Sequence, residues 1–456
     1  MNYKTNTNFN AFLVAGIGSG SGKTTITLGL ISAFKNMGKV VAPFKCGPDY
    51  IDTGFQTEVA KKKSVNLDVW LMGKKNLKAS FYNASKNADI AIIEGVMGLY
   101  DGLDVQSNYG SSADIAKILD VGVVLVVNAK GMARSFGALV KGYCDFDKDI
   151  NIIGIIANGI GSDYHASLLQ TVLEQQQLPP LIGYLNRDKN FTLPERHLGL
   201  VPEIENDNQI KYDLIAKKIE TNINLKQLLQ LSKKHLPHYN NTTISNIVDN
   251  KTIAIAYDKA FSFYYQDNIN LFKEHGFNVI KFSPLMDKHI PKSDMLYFGG
   301  GFPEIFAKEL SQNNSMLKSI KDFSSSGGII YAECGGLMYL SQTITTLNNN
   351  SFNMCGIFPI ESKMNNRLKR LGYRQVTLME NCFLGKKGDI IRGHEFHYSE
   401  SSALNKIKNI YSVTHPTKGI VDACGYKINN TIASYIHIHC LSNPNIIDSI
   451  KHFNNW

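Results

Sequence analysis

Short runs of apolar, largely β-branched residues recur along the first half of the chain, with amphipathic stretches between them. Residues 11–15 predict a strand, followed by a glycine-rich loop and a helix over 23–37. Further strands are predicted at 39–44, 90–94, 121–128 and 152–157. Each run is almost continuously apolar, as a parallel strand covered on both faces should be. Strands alternating with helices predict a doubly wound, mostly parallel α/β domain. From 222 to 251 the pattern changes, and the polar, turn-rich stretch 236–243 marks a boundary. The expected organisation is a first domain over 1–235, a linker at 236–250 and a second domain over 251–456. In the second domain the α/β alternation resumes, with strands at 252–257, 278–282, 295–298 and 327–333 and helices at 266–275 and 335–342. The Asn-rich stretch 347–353 reads as a surface loop.

A length of 456 residues exceeds what one hydrophobic core supports, which agrees with two domains. Hydrophobic and charged contents of 43% and 19% are those of an ordinary globular protein. The net charge of +9 suits an anionic ligand such as a nucleotide or a polycarboxylate. A nucleic-acid partner would call for a basic stripe with interleaved aromatics, and Lys61-Lys62-Lys63 is only a short solvated run. Seven scattered cysteines without a Cys-x-x-Cys pair argue for a reducing compartment. The first ten residues lack the apolar core of a signal peptide, and the longest apolar run, 121–127, is far short of the ~20 residues that span a bilayer. A cytoplasmic protein with no membrane partner is expected.

Gly16-Ile17-Gly18-Ser19-Gly20-Ser21-Gly22-Lys23-Thr24-Thr25 lies between the first strand and the first helix, the context of a phosphate-binding loop. Glycines let backbone N–H groups turn onto phosphate oxygens, and the helix N-terminus adds positive potential. The expected ATP-binding set is Gly18, Ser19, Gly20, Ser21, Gly22, Lys23, Thr24 and Thr25, with Lys23 on the outer phosphates and the Thr24 hydroxyl on Mg²⁺. The usual spacing places a glycine where Ile17 stands, so with Gly16 in that role the loop is one residue longer. In this it resembles dethiobiotin synthetase and its relatives, whose ATP activates a carboxylate or carbamate. Partition-type ATPases carry an extra lysine early in the loop, where this chain has Ile17 and Gly18. Metal carboxylates should come from the carboxyl ends of neighbouring strands. Glu94 and Asp49 are the metal candidates, and Lys45, Asp52 and Asp101 are candidates for substrate contact.

Cys334 stands in Ala332-Glu333-Cys334-Gly335-Gly336, between a predicted strand and a predicted helix. Glycines on its C-terminal side permit a tight turn, and a helix N-terminus favours the thiolate. The Gly335 N–H can face an oxyanion, with Gly300 of Gly299-Gly300-Gly301 as second donor. The base should be His437 or His439, two residues apart on one side of a predicted strand.

Several longer runs connect these sites. They are Gly47-Pro48-Asp49-Tyr50-Ile51-Asp52, Glu94-Gly95-Val96-Met97-Gly98-Leu99-Tyr100-Asp101-Gly102, Met132-Ala133-Arg134-Ser135 and Leu193-Pro194-Glu195-Arg196-His197. Phe261-Ser262-Phe263-Tyr264-Tyr265, Gly299-Gly300-Gly301-Phe302-Pro303-Glu304, Gly372-Tyr373-Arg374 and Arg392-Gly393-His394-Glu395-Phe396-His397 continue the set. On these runs, nearly end to end, the chain resembles the cobyrinate a,c-diamide synthase family of cobalamin-pathway glutamine amidotransferases. The resemblance implies a dethiobiotin-synthetase-like domain that phosphorylates the a and c carboxylates of cobyrinate with ATP and Mg²⁺. It implies a class I glutamine amidotransferase domain that hydrolyses L-glutamine through a Cys334 thioester, with ammonia passing internally to the acyl phosphates. It selects His437 rather than His439. No Glu or Asp stands two residues after either histidine, so no third member of the triad is assigned. Gly159 and Asn128 depart from the family pattern, which leaves base recognition unassigned. Arg392, His394 and His397 either contact substrate or brace the fold, and the oligomeric state is open between monomer and homodimer.

The same scaffold would serve relatives that amidate nickel-sirohydrochlorin, in the coenzyme F430 pathway, or hydrogenobyrinate. Cobyric acid synthase lacks the run 392–397 and fits less well. A partition-type or scaffold ATPase with a vestigial amidotransferase domain would have lost Cys334 or Lys23, and both are present.

Overall fold

The computed structural model describes residues 9–186, 208–235, 251–421 and 425–453. These form two compact units, one from the described residues up to 235 and one from residue 251 onward. The linker expected at 236–250 and the run that begins at Leu193 lie outside the described residues.

The first unit is built on β1 (Phe9–Gly16), α1 (Lys23–Asn36), β2 (Val41–Cys46), α2 (Ile51–Ala60), β3 (Val65–Leu67), α3 (Val69–Ser85) and β4 (Ile90–Glu94). It continues with α4 (Ser112–Leu119), β5 (Gly122–Asn128), α5 (Arg134–Phe146), β6 (Ile152–Ile160), α6 (Asp163–Gln175), β7 (Leu181–Asn186), α7 (Asn208–Asn222), α8 (Leu225–Leu231) and β8 (Lys233–Lys234). The strand order is β3-β2-β4-β1-β5-β6-β7, all parallel, with β8 pairing antiparallel to β1. This is the doubly wound α/β fold expected, and its apolar strands are buried on both faces: Phe12, Leu13, Val14, Ile92 and Ile93 are fully buried. Side-chain caps fix where the helices begin, with Asp68, Ser111 and Ser162 accepting from the N–H groups of Leu71, Asp114 and His165. The second strand is shifted from its expected 39–44. It runs on through Lys45 and Cys46, because the ammonium of Lys45 finds two carboxylates inside the protein.

The second unit opens with β9 (Thr252–Ala256), β10 (Phe261–Phe263), α9 (Gln266–Glu274), β11 (Asn278–Phe282), β12 (Met295–Phe298) and β13 (Gly300–Gly301). It continues through α10 (Ala307–Gln312), α11 (Asn314–Ser325), β14 (Ile329–Glu333) and α12 (Gly335–Leu340). β11, β9, β12 and β14 are parallel neighbours in that order, and the strand Thr431–Ser434 joins β14 in parallel from almost a hundred residues further along. The rest of this unit departs from the α/β alternation. A five-stranded antiparallel sheet contains Arg370–Leu378, Ile390–His397 and, at its edge, His437–Ile438. After Ser434 the chain leaves the parallel sheet and enters this second sheet, which sets His437 at the junction of the two. Of the Asn-rich stretch expected as a loop, residues 347–350 lie at the tip of a hairpin, while Ser351–Asn353 form its second strand, paired with Thr343–Thr345. Among the described residues no helix is long and apolar enough to cross a membrane.

Candidate active sites

In the first unit the carboxyl ends of β1, β2 and β4 bring together the residues singled out in the sequence. The phosphate loop turns between β1 and α1, with positive φ at Gly20 and Gly22. A Cβ at Gly22 would stand 2.2 Å from Asn158 Nδ2, which donates to the Ser21 carbonyl at 2.9 Å. Only glycine fits there. The Tyr143 hydroxyl donates to the Ile17 carbonyl at 2.8 Å and so anchors the residue that lengthens the loop. Lys23 Nζ lies back over the loop, donating to the carbonyls of Gly18 at 3.0 Å and Met97 at 2.6 Å. Met97 adopts φ 50°, a strained value for a non-glycine residue, and its carbonyl is the one presented to Lys23. Burial and then the Lys45 charge push the Lys23 ammonium below its ordinary value, against the pull of Glu94, Asp52 and Asp101.

Glu94, wholly buried at the end of β4, is the hub of this site. Its Oε1 accepts from the Thr24 hydroxyl at 2.6 Å and from Lys45 Nζ at 2.9 Å, and its Oε2 from Gln56 at 2.7 Å. Lys45 Nζ also meets Asp52 Oδ2 at 2.5 Å. Burial, followed by the Asp52 charge, lifts Glu94 to about 7, against Lys45 and Thr24. Burial alone would lower Lys45, yet Glu94 and Asp52 raise it well above its ordinary value. The hydroxyl of Thr24 and the carboxylates of Glu94 and Asp52 are hard oxygen donors that suit Mg²⁺. Asp49 is used differently: its Oδ1 accepts from the N–H groups of Ile51 at 2.8 Å and Asp52 at 3.1 Å, capping α2. Asp101 likewise accepts from the Gly98 N–H at 2.8 Å and braces the loop after β4.

In the second unit Cys334 sits between β14 and α12 with φ 50° and ψ −103°. Its N–H donates to the Ser434 carbonyl at 2.7 Å, and that of Gly336 to the Gly299 carbonyl at 3.0 Å. A Cβ at Gly335 would stand 2.9 Å from Pro303 Cδ and 3.1 Å from the Gly301 nitrogen. One at Gly300 would stand 2.5 Å from His437 Cε1. The glycine run, the nucleophile turn and His437 are therefore in direct contact, and Gly335, in the first turn of α12, has an N–H without an intrahelical acceptor.

The two candidate histidines separate clearly. Burial would lower His437, but the side chains of Cys334 and Glu333 outweigh it and raise the imidazole to about 10. His439 packs against the Tyr265 ring at 4.6 Å, and burial pushes it down to about 3. His394 lies directly across the antiparallel pair from His437 and is pushed down to about 3 by burial, then by His437 and Arg374. His397 and Arg374 both hold Glu395, at 2.9 and 2.6 Å, and His397 stacks on Tyr435 at 3.8 Å. That network braces the sheet. The Arg392 backbone joins it to the chain after His437, its carbonyl accepting from the His439 N–H at 2.9 Å.

One residue that the sequence left unassigned belongs at this centre. Glu333, the last residue of β14, is 1% exposed. Its Oε1 accepts from the Tyr331 hydroxyl and the Ile438 N–H, both at 2.9 Å, and its Oε2 from the Tyr297 hydroxyl at 2.9 Å. Oε2 lies 3.6 Å from His437 Nδ1. The available signal was an acid closing an otherwise apolar strand immediately before the nucleophile.

Residues 12–201 match the CobQ/CobB/MinD/ParA nucleotide binding domain family, and residues 252–445 match the CobB/CobQ-like glutamine amidotransferase domain family. The cobyrinate a,c-diamide synthase of Caldanaerobacter subterraneus subsp. tengcongensis is 44% identical over 431 residues, covering 94% of this chain and 94% of that protein. That of Listeria innocua is 42% identical over 448 residues, with 96% and 98% covered. That of Salmonella typhimurium is 40% identical over 451 residues, with 96% of each covered.

The buried charges at Lys45 make a stability prediction. Lys45→Met leaves Glu94 and Asp52 without their cation, an arrangement expected to cost about 3–5 kcal/mol. Glu94, at about 7, lies above the ordinary carboxylate value of 4.5, so its contribution is most favourable below 4.5 and is lost as pH rises toward 7. Urea unfolding should therefore show a larger deficit for the variant at pH 8 than at pH 5, and added Mg²⁺ should recover part of it. An equal deficit at both pH values would remove the charge explanation.

Proposed function

The chain belongs to the cobyrinate a,c-diamide synthase family, and from that premise we propose that it converts the a and c carboxylates of cobyrinate to carboxamides, using ATP and ammonia released from L-glutamine. The observation that carries this reading is the nucleophile turn: Cys334 in a strained conformation against two glycine segments, with His437 beside it.

In the amidotransferase unit the Cys334 thiolate attacks the γ-carboxamide carbon of glutamine. The resulting oxyanion faces the Gly335 N–H and the Gly300–Gly301 backbone. The His437 imidazolium gives its proton to the departing nitrogen, the C–N bond breaks, and ammonia and a thioester result. Water, deprotonated by the neutral imidazole, then attacks the thioester, releasing glutamate and restoring the thiolate–imidazolium pair.

In the nucleotide-binding unit the loop 18–25 cradles the ATP phosphates and Lys23 moves from its two carbonyl acceptors onto the outer phosphates. Bound Mg²⁺ would neutralise phosphate charge, and Thr24 and Glu94 are the side chains to hold it, with Asp52 next to them. The substrate carboxylate attacks the γ-phosphorus and ADP leaves. Ammonia then attacks the acyl phosphate, and the C–O bond to phosphate breaks to give the amide. Lys45, held between two carboxylates, is the cation placed to receive the substrate carboxylate or the developing phosphate.

Two variants separate the halves of the reaction. Cys334→Ser should lose glutamine-supported synthesis by about 10³-fold or more while still working with ammonium salts; glutamine-dependent turnover at the parent rate would sink the nucleophile assignment. Glu94→Gln should lose ATP-dependent amide formation and keep glutamine hydrolysis; unimpaired synthesis would remove Glu94 from the metal site. Substrate identity is tested by offering cobyrinate, hydrogenobyrinate and nickel-sirohydrochlorin in parallel and identifying the products by mass spectrometry. The diamide of cobyrinate is expected, and turnover of none of the three would overturn the reading.

A further inference from the structure

We propose that Glu333 is the positioning carboxylate of the glutaminase centre, completing a Cys334–His437–Glu333 triad in which the acid comes from the residue before the nucleophile. The inference rests on the reading of Cys334 as nucleophile and His437 as its base, and it adds the group that holds the base in place.

Side chains in a regular strand alternate between faces, so consecutive residues do not serve one site. The turn at Cys334 breaks that rule. Glu333 keeps its strand direction while the backbone at Cys334 turns into φ 50°, and His437 interacts with both side chains. Glu333 also holds the backbone that carries the base. Its Oε1 accepts from the N–H of Ile438, the residue after His437, at 2.9 Å. One carboxylate therefore fixes the strand bearing the imidazole and, with Oε2 at 3.6 Å from Nδ1, faces the ring itself. A proton on Nδ1 is favoured beside the carboxylate, which leaves Nε2 for the thiol. That is the division of labour by which an acid orients a base and stabilises its charged form.

The remaining contacts keep the charge in place. The hydroxyls of Tyr297, from β12, and Tyr331, from β14, each donate to the carboxylate at 2.9 Å. Three donors satisfy a fully buried anion without a permanent cation. Among the described residues, the titratable groups that act on His437 include Cys334 and Glu333 from β14 and its turn and His394 from the neighbouring strand. Among them Glu333 is the carboxylate.

The test uses the full-length chain and two readouts. Glu333→Gln keeps the shape and removes the charge. Its kcat for glutamine hydrolysis should fall about 10²-fold or more, with the KM for glutamine changed by less than about threefold, since an orienting group acts mainly in the transition state. The alkaline limb of the kcat/KM profile for glutamine hydrolysis, where the His437 imidazolium loses its proton, should move down by about one pH unit or more, because the carboxylate that favours the charged ring is gone. Ammonia-supported amide formation reports whether the variant is folded. A parent kcat, or a lowered kcat with an unmoved alkaline limb, would overturn the proposal, the second result meaning that Glu333 only braces the strands. If Glu333→Gln does not fold, Tyr297→Phe decides. Removing the hydroxyl that shares Oε2 leaves more of the charge to His437, so the alkaline limb should move up, and an unmoved limb overturns the proposal. Glutaminase activity surviving in Cys334→Ser would instead sink the underlying reading, so the two failures are distinguishable.

Discussion

Burying a carboxylate is costly unless donors or cations surround it, and each unit of this chain buries one at the last residue of a central parallel strand. Glu94 closes β4 and is wholly buried; Glu333 closes β14 and is 1% exposed. The groups that satisfy them are the groups of the sites. Around Glu94 stand Thr24 of the phosphate loop, Lys45 and Gln56. Around Glu333 stand two tyrosine hydroxyls, the N–H beside the base and the base itself. Satisfying the charge and assembling the chemistry are therefore one requirement at each strand end.

The glycines follow from the same crowding. Near these strand ends, neighbouring side chains occupy the place that a Cβ would take. At Gly22 the obstacle is Asn158, and at Gly300 it is the His437 ring. These positions accept glycine for packing reasons that a count of loop glycines does not reveal. The two turns stand at the helix starts, Gly22 before α1 with φ 96° and Cys334 before α12 with φ 50°.

The parallel strands were legible because each is covered on both faces and reads as an unbroken apolar run. β4, β11 and β12 fall where the pattern puts them. The two turns were legible because glycine spacing is a local signal. The strands Arg370–Leu378 and Ile390–His397 were not, because glycine and charged or polar residues interrupt their apolar positions and no unbroken apolar run marks them. The choice of His437 over His439 came from resemblance, since two residues on one strand face look equivalent. The structure separates them because the strand ends at Ile438, leaving His439 to pack on Tyr265. Glu333 stayed hidden for a related reason. A search for an acid along the strand of the histidine looks in the wrong segment, and the contact depends on β14 and the residues after Ser434 meeting across about a hundred residues of chain. The local role of Asp49 was not legible either: its Oδ1 accepts from the first turn of α2, a contact that its acidic sequence neighbourhood does not announce.

The two carboxylates are satisfied by different kinds of partner, and the difference matches what each site must do. Glu94 is balanced by a cation, Lys45, which also pairs with a second carboxylate, Asp52. In the proposed reaction this site takes up a nucleotide, a metal ion and a polyanionic substrate and passes through several charge states. Glu333 is balanced by hydroxyls on β12 and β14 and by a backbone N–H, groups carried on packed strands. Its surroundings change little while the proton on His437 comes and goes. A nucleophile centre that repeats one proton transfer gains from a fixed field, because dipoles already oriented need no rearrangement as charge develops. A cation at one strand end and a set of neutral donors at the other are thus two solutions to burying a glutamate, and in the proposed reaction the first meets a changing charge and the second a constant one.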